Sequence, residues 1–455
     1  MIVMKFGGSS VESKEAVERV TGIVRSYQAR HPIVVVSAMG QTTNKLLQAA
    51  NEAAAGRRDQ ALTLIDELRG QHLTHGLALA GAFSADLDRY IRTHFEWLDE
   101  LVKGLSVVGE LSARSMDAIA SVGERLSSLV VSFAFRASGL DSQHVDSRSV
   151  MITDDRFTHA TPRLEETYAR LKEKVKPIAE TAVVVMGGFI GSTKDGYTTT
   201  LGRGGSDYSA SIIGAGVDAE EIQIWTDVDG MLTADPRIIP GGHRVKSISF
   251  AEAAEMAYFG AKVLHPSTVL PAIEKDIPVV ILNSRRPEIE GTRITSAAAP
   301  CRNPVKSISC RRGVTILNVR STRMLLAHGF LLRIFEVFNR YGASVDMLAT
   351  SEVSVSLTLD NIDSLAEISR ELAQYGDVTV EHGQAIVCLV GENIRHTPGI
   401  AGRAFQALSN TNIRMISQGA SVLNLGFVIE DSDLTSVVSA LHTEFFSELD
   451  PAVFA

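Results

Sequence analysis

The sequence predicts an α/β protein: helices on a mainly parallel sheet, followed by a smaller strand–helix module present in two copies. Three observations carry that prediction. Up to about residue 295, apolar runs suited to strands at 33–37, 182–186, 223–226 and 278–283 alternate with stretches of helical periodicity, the mark of a sheet covered by helices. Residues 45–137 are rich in alanine and leucine and carry no strand signal; with no linker to bound them, they are expected to form a helical lobe over the sheet rather than a separate domain. Beyond residue 304, Gly329, Arg333, Phe335 and Ser351 are matched by Gly399, Arg403, Phe405 and Ser421 at a constant spacing of 70 residues, and each copy reads strand, glycine loop, amphipathic helix, strand. A chain of 455 residues has room for two or three domains. The joint falls at 296–304, Ser-Ala-Ala-Ala-Pro-Cys-Arg-Asn-Pro, where two prolines and small residues interrupt the pattern.

The chain opens on Ile2-Val3-Met4-Lys5-Phe6, a short strand running into Gly7-Gly8-Ser9-Ser10. A helix follows with Ala16, Val17, Val20, Ile23 and Val24 on one face. A strand–glycine–helix unit suits a phosphate, although the lysine precedes the glycines, unlike a Walker A loop. Lys5 would project from the strand end toward transferring phosphoryl oxygens. Taken alone, a lysine beside a glycine turn is ordinary.

The densest signal is Tyr197-Thr-Thr-Thr-Leu-Gly-Arg-Gly-Gly-Ser-Asp-Tyr208. Gly202, Gly204 and Gly205 permit positive φ and close backbone approach to a ligand. Arg203, expected to be buried among them, offers a planar fork for carboxylate or phosphate. Ser206 and Asp207 precede the apolar positions Tyr208, Ile212 and Ile213 and are expected to cap a helix, where an anion gains from free N–H groups. A capped glycine turn without a ligand would explain the glycines, but not an arginine among them after three threonines.

Composition narrows the function. A net charge of −9 argues against a nucleic-acid partner, but not against ATP, which needs only a local cluster such as Lys5, Arg203, Arg237 and Lys262. Hydrophobic residues at 45% with charged residues at 21% describe a globular chain with ample core. The N-terminus enters a strand without the regions of a signal peptide, and no apolar run is expected to be long enough for a bilayer. Cys301, Cys310 and Cys388 form no metal-type pair, so reduced thiols and a cytoplasmic location are expected.

Several motifs then occur in one order: Lys5-Phe-Gly-Gly-Ser-Ser10, Val35-Val-Ser-Ala-Met39, Gly123-Glu-Arg125, Gly187-Gly-Phe-Ile-Gly191, the Thr-Leu-Gly-Arg-Gly-Gly-Ser-Asp block, Trp225-Thr-Asp-Val-Asp-Gly230, Phe250-Ala-Glu-Ala-Ala-Glu-Met256 and Gly260-Ala-Lys-Val-Leu-His-Pro266. Over essentially its whole length the chain resembles the aspartate kinases, most closely the monofunctional, lysine-regulated type. The resemblance implies an amino acid kinase α/β/α sandwich over 1–296, a linker at 297–303 and two βαββαβ ACT domains. In that family one ACT domain interrupts the other, which here implies 313–383 for the first, and 304–312 joined to 384–455 for the second.

The implied reaction is ATP-dependent phosphorylation of the side-chain carboxylate of L-aspartate to 4-phospho-L-aspartate, the first step toward lysine, threonine and methionine. A carboxylate is already nucleophilic at neutral pH, so the task is alignment and charge neutralisation, without a general base. By resemblance Lys5, with Gly7, Gly8 and Ser9, holds the phosphoryl group, and Asp207 positions that lysine. Thr43, Glu124, Arg203 and Ser206 meet the amino acid, Glu124 taking its α-ammonium and Arg203 its α-carboxylate. In isolation, Glu124 could be a surface acid paired with Arg125, and Thr43 a simple helix cap. Thr226, Asp227, Leu232, Arg237, Lys262 and Val263 match nucleotide positions; Leu232 stands where close relatives often have a tyrosine near the adenine. Mg²⁺ is implied on the nucleotide, with no protein cage of its own. His265 reads as structural.

In the first repeat, Met324, Phe330, Leu331, Ser344, Val345, Asp346, Ser351 and Glu352 match the lysine site of relatives, although Ala327 replaces a serine. The repeat spacing sets Ile416 opposite Asp346 and Val422 opposite Glu352. The second copy therefore lacks both acids and could not neutralise a cation; the first copy is expected to sense and the second to pack, across a homodimer or dimer of dimers. Acetylglutamate, glutamate and uridylate kinases share the sandwich without the tandem tail, and a fused homoserine dehydrogenase is not expected at this length. A non-catalytic amino-acid sensor would not need Lys5 and Asp207.

Overall fold

The computed structural model describes residues 1–260, 266–324, 328–360 and 362–455. Lys262, Val263, His265 and Ala327 lie outside the described residues. The chain divides into two compact units, Met1–Met231 with Leu264–Ala298, and Leu232–Val263 with Ala299–Ala455. Residues 232–263, assigned from sequence to the catalytic part, thus group with the C-terminal half.

In the first unit the strands are β1 (Ile2–Phe6), β2 (Pro32–Val36), β3 (Ser142–His144), β4 (Val183–Gly187), β5 (Ile190–Ser192), β6 (Thr198–Thr200) and β7 (Glu221–Thr226). After β8 (Ser247–Ser249), in the second unit, come β9 (Val279–Asn283) and β10 (Thr292–Thr295). The main sheet runs β3-β4-β2-β1-β7-β9-β10. It is parallel from β3 to β9, with β10 antiparallel at β9. Every residue of β1, β2, β4 and β9 is buried, which is why these strands read as unbroken apolar runs rather than alternating ones. β5 and β6 form a separate antiparallel hairpin.

The first helix, α1 (Lys14–Ser26), is capped by Ser13, whose Oγ accepts the Ala16 N–H at 3.2 Å, and buries the expected face. The helical lobe is α2 (Thr42–Ala54), α3 (Arg58–Ala80), α4 (Ser84–Val108) and α5 (Ala113–Ala137). One apolar cluster joins Met4 and Phe6 of β1 to Leu68, Phe95 and Leu126 of the lobe, so the lobe and the sheet share a core. One expectation is corrected by α5: it is long and apolar enough to cross a bilayer, but 83% of its most apolar window is buried inside the protein. It is a core helix.

The second unit carries β11 (Ser307–Arg320), β12 (Val345–Thr350), β13 (Ser354–Leu359), β14 (Asp377–Val390), β15 (Met415–Gln418) and β16 (Asn424–Glu430), in one antiparallel sheet ordered β12-β13-β11-β14-β16-β15. The two 14-residue strands β11 and β14 pair side by side, with an irregularity between Arg311 and Val314. That irregularity divides the sheet. Beyond it, Thr315–Arg320 pairs with β13; before it, Ser307–Arg311 pairs with Ile386–Val390, the part of β14 that also pairs with β16. The repeat glycines have one physical role in both copies. Gly329 and Gly399 precede the helices Phe330–Arg340 and Ile400–Ala407 as N-caps with φ of 76° and 85°, a backbone state that a side chain would strain. Within the same unit, the helix Phe250–Tyr258 starts with a capping box of Ser249 and Glu252.

Candidate active site

The strand order reverses at β1, with β2 on one side and β7 on the other. In open α/β sheets, ligands bind beyond the carboxyl ends of the strands at such a switch point. A cleft of about 370 Å³ lies there, lined by Lys5, Gly8, Thr43, Glu124, Arg203 and Asp207 among others. Five segments distant in sequence are thereby brought together.

Lys5, near the end of β1, is buried, and its Nζ lies 2.6 Å from Asp207 Oδ1. Asp207 occupies the first turn of the helix Gly205–Val217, where a carboxylate is favoured by the helix dipole. The N-cap of that helix is Gly204, at φ 73°, and no side chain caps it. Ser206 and Asp207 are therefore first-turn residues, which corrects the capping expectation and leaves the Asp207 carboxylate available to the lysine.

Gly8 is needed for close approach: a Cβ there would stand 2.9 Å from the Ala38 carbonyl. Gly7 plays another part, its N–H donating to the Trp225 carbonyl at 3.2 Å, across to β7. That N–H is thus committed within the sheet rather than free for a phosphate. Ser9 lies in the short turn Gly8–Ser10.

Glu124 on α5 is 4% exposed, so it is not the surface acid that the local sequence allows. Gly123 makes this possible, since a Cβ there would come within 2.8 Å of Ala38 Cβ; without one, α5 settles onto the loop after β2. Glu124 Oε1 accepts the Ala38 N–H at 3.2 Å. Its Oε2 is buried with no hydrogen-bond partner among the described residues. Burial pushes the carboxyl up to about 8, against the lowering effect of the Ala38 bond. Such a group is prepared for a cation that the described residues do not provide.

Arg203 lies in the loop between β6 and the helix Gly205–Val217, and it is exposed rather than buried. No ion pair holds its guanidinium among the described residues. Thr43 is in the first turn of α2, whose N-cap is Gln41; the simple-cap reading of Thr43 is therefore replaced by a position on the cleft wall. Gly188 brings the end of β4 against Ser206, where a Cβ would meet Ser206 Cα at 2.8 Å. Phe189, also on the wall, has φ 65° and donates its N–H to Ser209 Oγ at 2.9 Å. A bulky residue in that conformation is a strain commonly found at sites, and sequence alone carries no sign of it.

Thr226 ends β7, with its hydroxyl donating to the exposed Asp227 at 3.2 Å. Leu232 and Arg237 belong to the second unit. Leu232 is half-buried, and the Arg237 side chain is 81% exposed and held by Asp235 at 2.5 Å.

The first-repeat residues are less uniform than expected. Phe330 is a core residue, packed with Leu317, Ile334 and Leu357. Met324 and Val345 are half-buried, while Leu331, Ser344, Ser351 and Glu352 are exposed. Asp346 Oδ1 accepts from Arg311 at 3.0 Å and from the Tyr258 hydroxyl at 2.9 Å, and its Oδ2 is buried without a partner among the described residues. Burial raises its pKa despite Arg311. Tyr258 and Arg311 were not singled out by sequence, because they lie 88 and 35 residues from Asp346.

The fold and cleft define a phosphotransferase of the amino acid kinase class: residues 1–283 match the amino acid kinase family, and residues 387–445 match the ACT domain family. Aspartokinase 2 of Arabidopsis thaliana is 39% identical over 99% of this chain and 85% of its own length. Lysine-sensitive aspartokinase 3 of Escherichia coli is 37% identical over 98% of this chain and 99% of its own. The crystal structure of E. coli aspartokinase III in complex with aspartate and ADP superposes with a TM-score of 0.85, at 36% identity, covering 98% of this chain and all of that one. A second structure of that enzyme, with lysine and aspartate, gives a TM-score of 0.84 at 36% identity over 98% of this chain and 99% of that one. The chain belongs to the aspartokinase family and is an aspartate kinase.

Proposed function

We propose that the cleft holds aspartate as a zwitterion, with Glu124 receiving the α-ammonium and Arg203 clamping the α-carboxylate. The observation that carries this is the buried Glu124 Oε2, in one cleft with the Arg203 guanidinium, neither of them partnered among the described residues. Thr43 and Ser206 flank the amino acid. The free side-chain carboxylate then points toward ATP. One of its oxygens forms a bond to the γ-phosphorus, the bond from that phosphorus to the bridging oxygen breaks, ADP leaves and no proton need move. Lys5, held by Asp207, neutralises charge on the transferring group, and Gly8 and Ser9 hold it by resemblance to the family. ADP bound to the E. coli relative supports ATP as the donor. Thr226, Asp227, Leu232, Arg237, Lys262 and Val263 are the nucleotide residues proposed by resemblance. Mg²⁺ would be carried on the nucleotide phosphates, where it would offset their charge.

Lysine is the proposed effector, as the name and the lysine complex of the E. coli relative support. Its site is proposed in the first ACT domain, 313–383, with 304–312 and 384–455 forming the second. Exposed apolar side chains in both copies, among them Leu332, Leu348, Ile416 and Val422, favour assembly as a homodimer or dimer of dimers. The three free cysteines suit a cytoplasmic enzyme.

Hydroxylamine trapping of the acyl phosphate tests the assignment. Product should form from L-aspartate with ATP and Mg²⁺, and not from glutamate. Lys5→Ala should abolish turnover while sparing aspartate binding, and Arg203→Ala should weaken that binding strongly. Equal aspartate losses in the two variants by calorimetry would show that their roles are wrongly divided.

A further inference from the structure

We infer that Asp117 is a positioning residue that sets the distance between the two ends of the aspartate clamp. The inference rests on the proposed roles of Glu124 and Arg203. Asp117 lies on α5, seven residues and so about two turns before Glu124, and both side chains therefore lie on nearly the same face of one helix. It is 1% exposed and receives three hydrogen bonds. Oδ2 accepts the backbone N–H of Thr158 at 2.9 Å and that of Thr200 at 3.0 Å; Oδ1 accepts the Thr200 hydroxyl at 2.6 Å.

These partners are the two supports of the arginine loop. Thr200 ends β6, two residues before Gly202. Thr158 sits at φ 71°, a strained state for a β-branched residue, and the Asp117 contact holds it there. The Thr158–His159 turn packs directly under the loop: a Cβ on Gly202 would stand 2.9 Å from His159 Cδ2 and 3.3 Å from the Thr158 carbonyl. The Ala160 N–H closes the arrangement by donating to the Thr200 carbonyl at 2.9 Å. A second brace comes from the same helix, with the Arg114 guanidinium 3.6 Å from the centre of the Tyr197 ring, just ahead of β6.

Helix α5 therefore carries Glu124 directly and fixes the Arg203 loop through Asp117. Holding both charge-reading groups to one rigid element defines how far the reacting carboxylate stands from the ends of the substrate. A one-carbon-longer acid such as glutamate would then be misplaced for transfer, and small misplacements cost large factors in rate. Asp117 touches no substrate in this scheme.

The test is steady-state kinetics on Asp117→Ala and Asp117→Asn, with Thr200→Val as a milder variant that loses only the hydroxyl bond. Asp117→Ala should raise the KM for aspartate about tenfold or more, leave the KM for ATP unchanged and narrow the preference for aspartate over glutamate. Asp117→Asn keeps an acceptor for the backbone donors and should restore most of the loss. If Asp117→Ala does not fold, Thr200→Val must show the same pattern at a few-fold. A merely structural role would lower the active fraction, and hence kcat, with the aspartate KM unmoved. That outcome, or a parallel loss for ATP and aspartate, overturns the inference. If Arg203→Ala still raises the aspartate KM, only the role of Asp117 falls; if it does not, the clamp itself is wrong.

Discussion

Glu124 in the catalytic cleft and Asp346 at the start of β12 are both carboxylates with one oxygen buried and unpartnered among the described residues. They differ in what meets the other oxygen. Among the described residues Glu124 has a single backbone N–H and no cation, and its pKa is pushed up to about 8. Asp346 has the Arg311 guanidinium and the Tyr258 hydroxyl. At both, a positively charged ligand meets one open oxygen, but at Asp346 it must also share the carboxylate with, or displace, contacts already made. The proposed substrate site is thus built to be filled, and the proposed effector site to be exchanged. Since a ligand can shift an equilibrium only through its different affinity for two states, the contacts lysine would break at Asp346 are as relevant as those it would make.

The second repeat sharpens the contrast. Opposite Asp346 stands Ile416, 49% exposed, and opposite Glu352 stands Val422, 44% exposed. Ser421, the counterpart of Ser351, donates to Glu255 Oε1 at 2.7 Å, and Asn424 donates to Oε2 of the same glutamate at 2.7 Å. A carboxylate of the chain itself therefore occupies the polar end of the second copy. In the first copy, Ser351 bonds only its neighbours Val353 and Ser354 among the described residues and remains exposed.

The largest effect on this comparison is expected at Asp346. A charge-assisted hydrogen bond is worth about 1.5–3 kcal/mol, so Asp346→Ala should weaken lysine inhibition roughly tenfold or more, with activity at zero lysine retained. Tyr258→Phe should act in the opposite direction. It removes one contact that lysine must displace, and should tighten inhibition by about twofold to tenfold, from ~0.5–1.5 kcal/mol for a neutral bond. Inhibition curves for both variants check the pair, and loss of sensitivity in Tyr258→Phe would show that the hydroxyl serves the bound state. The smallest effect is expected at Ile416→Ala, less than about twofold on lysine affinity. If that variant loses sensitivity as fully as Asp346→Ala, the division into sensing and packing copies fails.

Much of this was legible because it is written locally. The Gly7–Gly8 turn, the Gly202–Gly205 loop and the 70-residue repeat each show within a few residues, and the backbone freedom of glycine makes them conspicuous. The buried strands were readable for the same reason, as short continuous apolar runs. What stayed hidden depends on contacts far apart in sequence. Asp117 reaches Thr158 and Thr200 across 41 and 83 residues, and nothing around it marks it as different from a surface acid on a helix. The exposure of Arg203, the commitment of the Gly7 N–H to Trp225 and the prior pairing of Asp346 likewise follow from packing. Local pattern also misplaced the cap of the helix Gly205–Val217, because Ser206 and Asp207 are good capping residues set two and three residues past the Gly204 cap.

Proton release on aspartate binding is the most direct test of the zwitterion clamp. In the unliganded protein Glu124 is stabilising as the neutral acid, a contribution complete below the ordinary value of 4.5 and lost as the pH rises through about 8. An ammonium placed against Oε2 favours the ionised form and lowers that pKa. At pH 7, therefore, binding should release most of one proton per site, and aspartate affinity should rise with pH until about 8. Titration calorimetry in buffers of different ionisation enthalpy reads the proton directly, with Glu124→Gln as the control that should release none. No buffer dependence in the native protein, or the same release from Glu124→Gln, would contradict the assignment of Glu124 to the α-ammonium group.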